Sequence, residues 1–85
     1  MRVNIDSNGN KQYYNDKNQL YKEEFPDGSI IWSINGKLHR EDGPAIECPN
    51  GYKVWYLDGI NYSEQEFDKI ILKYKWNKFV KDYVK

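Results

Sequence analysis

The sequence has one cysteine, Cys48, one histidine, His39, and two arginines, Arg2 and Arg40, among 85 residues. A single cysteine excludes an intramolecular disulfide and a cysteine-based metal site. A single histidine leaves zinc binding and acid–base catalysis without the cluster of groups that either chemistry assembles. No apolar run approaches the roughly 20 residues that span a bilayer. The opening residues, Met1-Arg2-Val3-Asn4-Ile5-Asp6-Ser7, lack the apolar stretch of a signal peptide. From these absences we expect a cytoplasmic, reducing setting, no membrane partner, no cofactor and no metal.

Net charge is also missing, at a formal +0, but it is unevenly spread. Residues 1–68 carry seven Lys/Arg against twelve Asp/Glu, whereas residues 69–85 carry six Lys against Asp82 alone. An acidic body with a basic tail permits self-association, although a solvated lysine face produces the same pattern. Hydrophobic residues make up only 39%, yet aromatics reach 16%. A disordered chain would be poor in such side chains. The expectation is one domain over residues 1–85, with a small core held by a few large rings.

An internal repeat organises the chain. Phe25-Pro26-Asp27-Gly28 returns 23 positions later as Cys48-Pro49-Asn50-Gly51, Trp32 returns as Trp55, and Asn35-Gly36 returns as Asp58-Gly59. An earlier, degenerate copy starts at Asn8-Gly9. Tyr13, Trp32 and Trp55 each stand four residues after a turn glycine. Asp-Gly and Asn-Gly pairs are strong hairpin signals, because type I′ turns need positive φ at both central residues. We therefore expect type I′ turns at Asp27-Gly28, Asn35-Gly36, Asn50-Gly51 and Asp58-Gly59. Strands are expected over Ser29–Ile34, Ala45–Cys48 and Tyr52–Leu57. The loop Glu41-Asp42-Gly43-Pro44 has no counterpart between Tyr21 and Phe25, which accounts for the shorter first step.

Alternation assigns faces. Ile30, Trp32 and Ile34 share one side of their strand, and Trp55 and Leu57 share one side of theirs. This tryptophan side is assigned to the core. Tyr52, Val54 and Tyr56 then point the other way. Either the sheet or the helix covers that side, or Tyr52 and Tyr56 form an exposed aromatic patch for a partner.

Ser63-Glu64-Gln65-Glu66 fits a capping box, so a helix should start at Glu64 and run to near Asp82. Its apolar pattern changes midway. Phe67, Ile70, Ile71 and Tyr74 form one stripe, and Leu72, Trp76, Phe79 and Tyr83 form another. At about 100° per residue the two stripes lie nearly opposite each other. A straight helix cannot bury both against one sheet. Either it bends near Lys75–Asn77, or the second stripe meets another chain. The architecture expected is thus mainly β with one helix: an antiparallel hairpin-repeat meander over residues 1–62, closed by a C-terminal amphipathic helix over residues 63–83.

Nothing in this pattern assembles a catalytic site, and no enzymatic activity is expected. His39-Arg40-Glu41-Asp42 reads as a turn in which Arg40 pairs with Glu41 or Asp42 at the surface. The acidic pairs Glu23-Glu24, Glu41-Asp42 and Glu64/Glu66 lack an apolar setting that would separate their pKa values. The run Lys73-Tyr74-Lys75-Trp76-Asn77-Lys78-Phe79 interleaves bases with rings, as single-strand binders do. The acidic body and the two arginines disfavour that nucleic-acid reading.

The middle copy, from Trp32-Ser33-Ile34-Asn35-Gly36-Lys37 through Leu38-His39-Arg40-Glu41-Asp42-Gly43-Pro44-Ala45, resembles a repeat of tailed-phage and giant-virus proteins. That repeat reads roughly W-Y-x-N-G-K-x-H-R-x-D-G-P-A, and a looser resemblance extends to the MORN-variant repeats, which share the aromatic–Gly hairpin design. The resemblance covers about residues 20–72. Ser33 departs from it where the pattern has Tyr, and Ile60-Asn61-Tyr62 depart where a full copy has Lys-x-His. It implies a hairpin array and a viral protein in the host cytoplasm, without implying a reaction. The expected function is a small, non-enzymatic phage accessory protein that binds a host protein and inhibits host defence or other machinery. Partner-binding candidates are Leu72, Trp76, Phe79, Tyr83, Tyr52 and Tyr56. Homo-oligomers through the helix are a further expectation. Two alternatives stand beside this reading: a nucleic-acid or nucleotide binder using the aromatic, basic helix, and an oligomeric structural part of a virion.

Overall fold

The computed structural model describes residues 1–83, with side chains described through Lys78. Eight short strands precede one helix: β1 (Arg2–Ile5), β2 (Lys11–Tyr14), β3 (Leu20–Glu24), β4 (Ile30–Ile34), β5 (Lys37–Leu38), β6 (Ile46–Glu47), β7 (Lys53–Leu57), β8 (Ile60–Tyr62) and α1 (Glu64–Tyr83). The sheet order is β1-β2-β3-β4-β6-β7-β8, with β5 paired to β4 alone. Every pairing is antiparallel. This is the expected mainly-β meander closed by a helix. It is elongated, 46 × 31 × 15 Å, because the strands add side by side in nearly sequential order.

The turns fall into two kinds. Asn35-Gly36 and Asp58-Gly59 are two-residue turns with φ of 52° and 77°, and of 52° and 80°, as type I′ requires. The expectation of the same turn at Asp27-Gly28 and Asn50-Gly51 was wrong. There only the glycine is left-handed, with φ of 96° at Gly28 and 91° at Gly51. The Gly28 N–H donates to the Phe25 carbonyl at 2.9 Å, and the Phe25 N–H donates to the Ser29 carbonyl at 2.9 Å. Cys48 makes the same pair of bonds with Gly51 and Tyr52. These are three-residue loops: a type I turn followed by a left-handed residue. Pro26 and Pro49 favour this kind, because the fixed φ of proline near −65° suits the first central position of a type I turn.

Another loop of this kind, spanning Asn15 to Gln19, carried no glycine to reveal it. Asn18 takes the left-handed position with φ 62°, which asparagine tolerates better than most side chains. The Asn15 side-chain oxygen accepts from the Lys17 and Gln19 N–H groups, both at 2.9 Å. Asp6 stabilises the first loop in the same way, through the N–H groups of Asn8 and Asn10.

Cross-strand rows tie the sheet together. Tyr13, Lys22 and Trp32 stand directly opposite one another on β2, β3 and β4. The Lys22 ammonium lies 5.1 Å from the Tyr13 ring centre and 4.9 Å from that of Trp32, so a cation sits between two rings. On the other side of the pleat, Gln12 bonds to Asn4 and to Glu23. Between β2 and β3 the register shifts after Tyr13. The shift leaves Tyr21 without an opposite residue and brings its ring within 6.3 Å of Tyr13.

The core is small and lies at the C-terminal end. Among the described residues, Ala45, Leu57 and Phe67 are the buried apolar side chains, and His39 is buried with them. The tryptophan side does face this core at β7, since Leu57 lies on the same side as Trp55. Trp32 and Trp55 themselves are only half-buried. α1 begins with the expected capping box. The Ser63 hydroxyl accepts from the Glu66 N–H at 3.1 Å, and the Glu66 carboxylate accepts from the Ser63 N–H at 3.0 Å. The backbone N–H of Ser63 holds the Glu66 carboxyl below the ordinary carboxylate range. The helix then runs as one segment to Tyr83 and packs on β7 and β8.

Candidate functional site

Two places attract attention: the outer face of α1, and the loop from His39 to Pro44. The helix resolves its two stripes unequally. Phe67 is buried, and Ile70, Ile71 and Tyr74 are half-buried. Ile70 and Tyr74 line a surface cleft with Leu57, Ile60 and Tyr62 of β7 and β8. Lys78 continues this stripe, and its ammonium reaches the Glu41 carboxylate at 3.2 Å. The first stripe therefore docks the helix from Phe67 to Lys78. α1 is continuous between Lys75 and Asn77, and the described members of the second stripe stay outside the core. Leu72 is 74% exposed and Trp76 is 61% exposed. They are four residues apart, so they stand on adjacent turns of the outer face. Phe79 and Tyr83, the remaining members of that stripe, have side chains outside the described residues.

Tyr52 and Tyr56 do not join this face. Leu57 meets the helix side, and alternation sends Tyr56 to the opposite side of β7. Tyr52 is 60% exposed, whereas Tyr56 is half-buried. The four candidates with described side chains, Leu72, Trp76, Tyr52 and Tyr56, thus divide into two separate surfaces, and of these the helix face combines an apolar pair with high exposure.

The His39 loop is not the surface turn that its charges suggested. His39 is 4% exposed. Its Nδ1 accepts the Asp58 N–H at 2.9 Å, so the proton sits on Nε2, which lies 3.0 Å from the Glu41 carboxylate. Tyr74 of the helix packs its ring 5.9 Å from the imidazole and donates its hydroxyl to Asp58 at 3.3 Å. Three segments distant in sequence meet on one imidazole: its own loop, the next hairpin turn and the helix.

Arg40 forms the second half of this latch. Its guanidinium lies 4.6 Å from the Trp32 ring centre. It donates to Asp42 at 3.0 Å, to the Pro44 carbonyl at 3.2 Å and to Glu47 at 2.5 Å. The expected Arg40–Asp42 pair is present, while Glu41 turns instead to His39 and Lys78. Gly43 lets the guanidinium lie close: a Cβ there would stand 3.1 Å from the Arg40 guanidinium carbon, which would have to shift by a few tenths of an ångström. The backbone completes the latch, with Arg40 N–H donating to Tyr56 and Gly59 N–H donating to Leu38. The His-Arg-x-Asp-Gly-Pro segment therefore clips one repeat onto the next. The signal that could have revealed it was its fixed distance from the following Asp-Gly turn.

Electrostatics follow from these contacts. Burial pushes the Glu41 carboxyl up, but hydrogen bonds from His39 and Lys78 and the Lys78 charge outweigh it and leave Glu41 below its ordinary range. The Arg40 guanidinium likewise holds Asp42 low. Carboxyls depressed by folding contribute stability that is complete above their unfolded values and is lost as pH falls through the folded ones. The melting temperature should therefore drop as pH falls below about 4.5. Thermal melts across that range should show a shallower drop for Glu41→Gln than for the unaltered protein; parallel curves would remove Glu41 from this role.

Among the described residues, no group of three His, Cys, Asp or Glu side chains could hold a metal ion. No described helix is long and apolar enough to cross a membrane. In comparisons with known proteins, no family model, no curated protein and no solved structure matches this chain.

Proposed function

We propose that the chain is a non-enzymatic binding module that engages another protein through the outer face of α1, with Leu72 and Trp76 at its centre. The observation that supports this reading is the pairing of a docked inner stripe with an apolar outer one on the same unbroken helix. Large apolar side chains exposed together suit a partner's groove, where tryptophan is a frequent anchor. The resemblance of the middle repeat to phage and giant-virus repeats motivates the rest of the reading. The module is a viral accessory protein acting in the host cytoplasm, its partner is a host protein, and the effect is inhibition of host machinery.

Affinity capture from host lysate, with the Leu72→Ala/Trp76→Ala double variant as the control, tests this. One host protein should be retained in near-stoichiometric amount and then be lost with the variant, whose melting temperature stays within a few degrees of the parent. An Ala truncation at the centre of such an interface should weaken binding by on the order of 2 kcal/mol, about thirtyfold. Equal capture by both forms, or a variant that unfolds instead, would overturn the assignment of this face.

A further inference from the structure

The outer edge of β1, at the N-terminal end of the sheet, pairs with no described strand, while its inner edge pairs with β2. The Asp6 N–H donates to Asn10, and the Asp6 carbonyl accepts from Gly9, so Asp6 turns its backbone groups toward β2. Alternation turns those of Arg2 and Asn4 the same way and those of Val3 and Ile5 outward. Sheet edges are usually blunted by proline, a bulge or an inward lysine. Arg2-Val3-Asn4-Ile5 contains no proline or lysine, and its register with β2 is regular. Val3 and Ile5, on one face, are 52% and 63% exposed.

This edge is complementary to itself in one antiparallel register. With Asn4 opposite Asn4 of a second copy, Val3 faces the second copy's Ile5, and Arg2 faces its Asp6. The outward N–H and C=O groups of Val3 and Ile5 then meet, giving two doubly hydrogen-bonded pairs by symmetry. Apolar residues oppose apolar ones, and the Arg2 guanidinium, which stacks on Tyr14 and bonds to Asn18, would stand beside an Asp6 carboxylate that its own loop already holds. Sliding by two residues in one direction sets Arg2 against Asn4. Sliding in the other sets Val3 against Ser7. Either slip loses the charge pair.

We propose that two copies of this chain join through their β1 strands, antiparallel about a two-fold axis at Asn4, so that one sheet runs through both. Each α1 packs at the far end of its own sheet, so the dimer carries two copies of the Leu72–Trp76 face at opposite ends. The joint stands independently of what that face binds.

Sedimentation equilibrium of the full chain should show a monomer–dimer equilibrium at micromolar concentration. Val3→Pro removes an outward N–H while leaving the β1–β2 ladder donors in place, and it should yield a monomer. The Leu72→Ala/Trp76→Ala variant should still dimerise. At the axis the two Asn4 Cα atoms would be about 4.5 Å apart, within the span of a disulfide. In a Cys48→Ser background, Asn4→Cys should therefore oxidise to a covalent dimer faster than Val3→Cys. A protein that stays monomeric at hundreds of micromolar, a dimer unaffected by Val3→Pro, or faster cross-linking at Val3→Cys would each overturn the proposal. If the dimer is lost with the helix variant and kept with Val3→Pro, the joint lies on α1.

Discussion

His39→Ala is expected to destabilise the protein by about 3 kcal/mol, from an emptied site plus an unsatisfied backbone donor. The imidazole occupies a nearly closed space. Removing it leaves the Asp58 N–H without the acceptor it has at 2.9 Å and deprives Glu41 of a hydrogen-bonded partner. Domains of this size have on the order of 5–10 kcal/mol in total, so the loss should lower the melting temperature by about 15 °C. His39→Asn keeps a side-chain acceptor near the Nδ1 position and should recover part of the loss. A surface turn, by contrast, would tolerate alanine within about 0.5 kcal/mol, and that result in a thermal melt would show that the latch holds nothing.

Phe67→Ala is expected to cost about 4 kcal/mol, in the range for truncating a buried phenylalanine. Phe67 is 4% exposed and is the one buried apolar side chain among the described residues of the helix. Its loss should be felt locally as well. Most of a helix's stability in a protein comes from the packing of its apolar face, and the remaining anchors, Ile70, Ile71 and Tyr74, are only half-buried. Circular dichroism should therefore show the helical signal melting ahead of the sheet. Leu72→Ala, on the opposite face, should change stability by less than about 0.5 kcal/mol. Equal losses at Phe67 and Leu72 would mean that the two stripes are not distinguished as the structure has them.

Several features were readable without coordinates because they depend on near neighbours. The capping box is one: Ser63 and Glu66 satisfy each other across three residues. The Asn35-Gly36 and Asp58-Gly59 turns are others, fixed by which side chains accept positive φ. The two helix stripes follow from spacing alone. The failures have equally local causes. Pro26 and Pro49 favour a type I turn where an Asp-Gly or Asn-Gly pair suggested type I′. The Asn15–Gln19 loop carries no glycine, so its turn chemistry was overlooked.

The His39 loop shows a different limit. Its residues read as a charged turn because charge usually means solvent. Burial became possible only when Asp58, 19 positions away, supplied an N–H, Tyr74 supplied a ring, and Lys78, 37 positions from Glu41, supplied a cation. Spacing could show that the repeat existed, but not that it clips onto its neighbour.

The order of the meander, the kinds of most turns and the opposed stripes of α1 were set by the chain itself, since each rests on backbone preference or on periodicity within a few residues. Which stripe of α1 docks on the sheet, and that His39 is a buried clip and no surface base, were decided by tertiary structure. Both outcomes depend on groups far apart in sequence meeting in space, where burial and hydrogen-bond completion outweigh local preference.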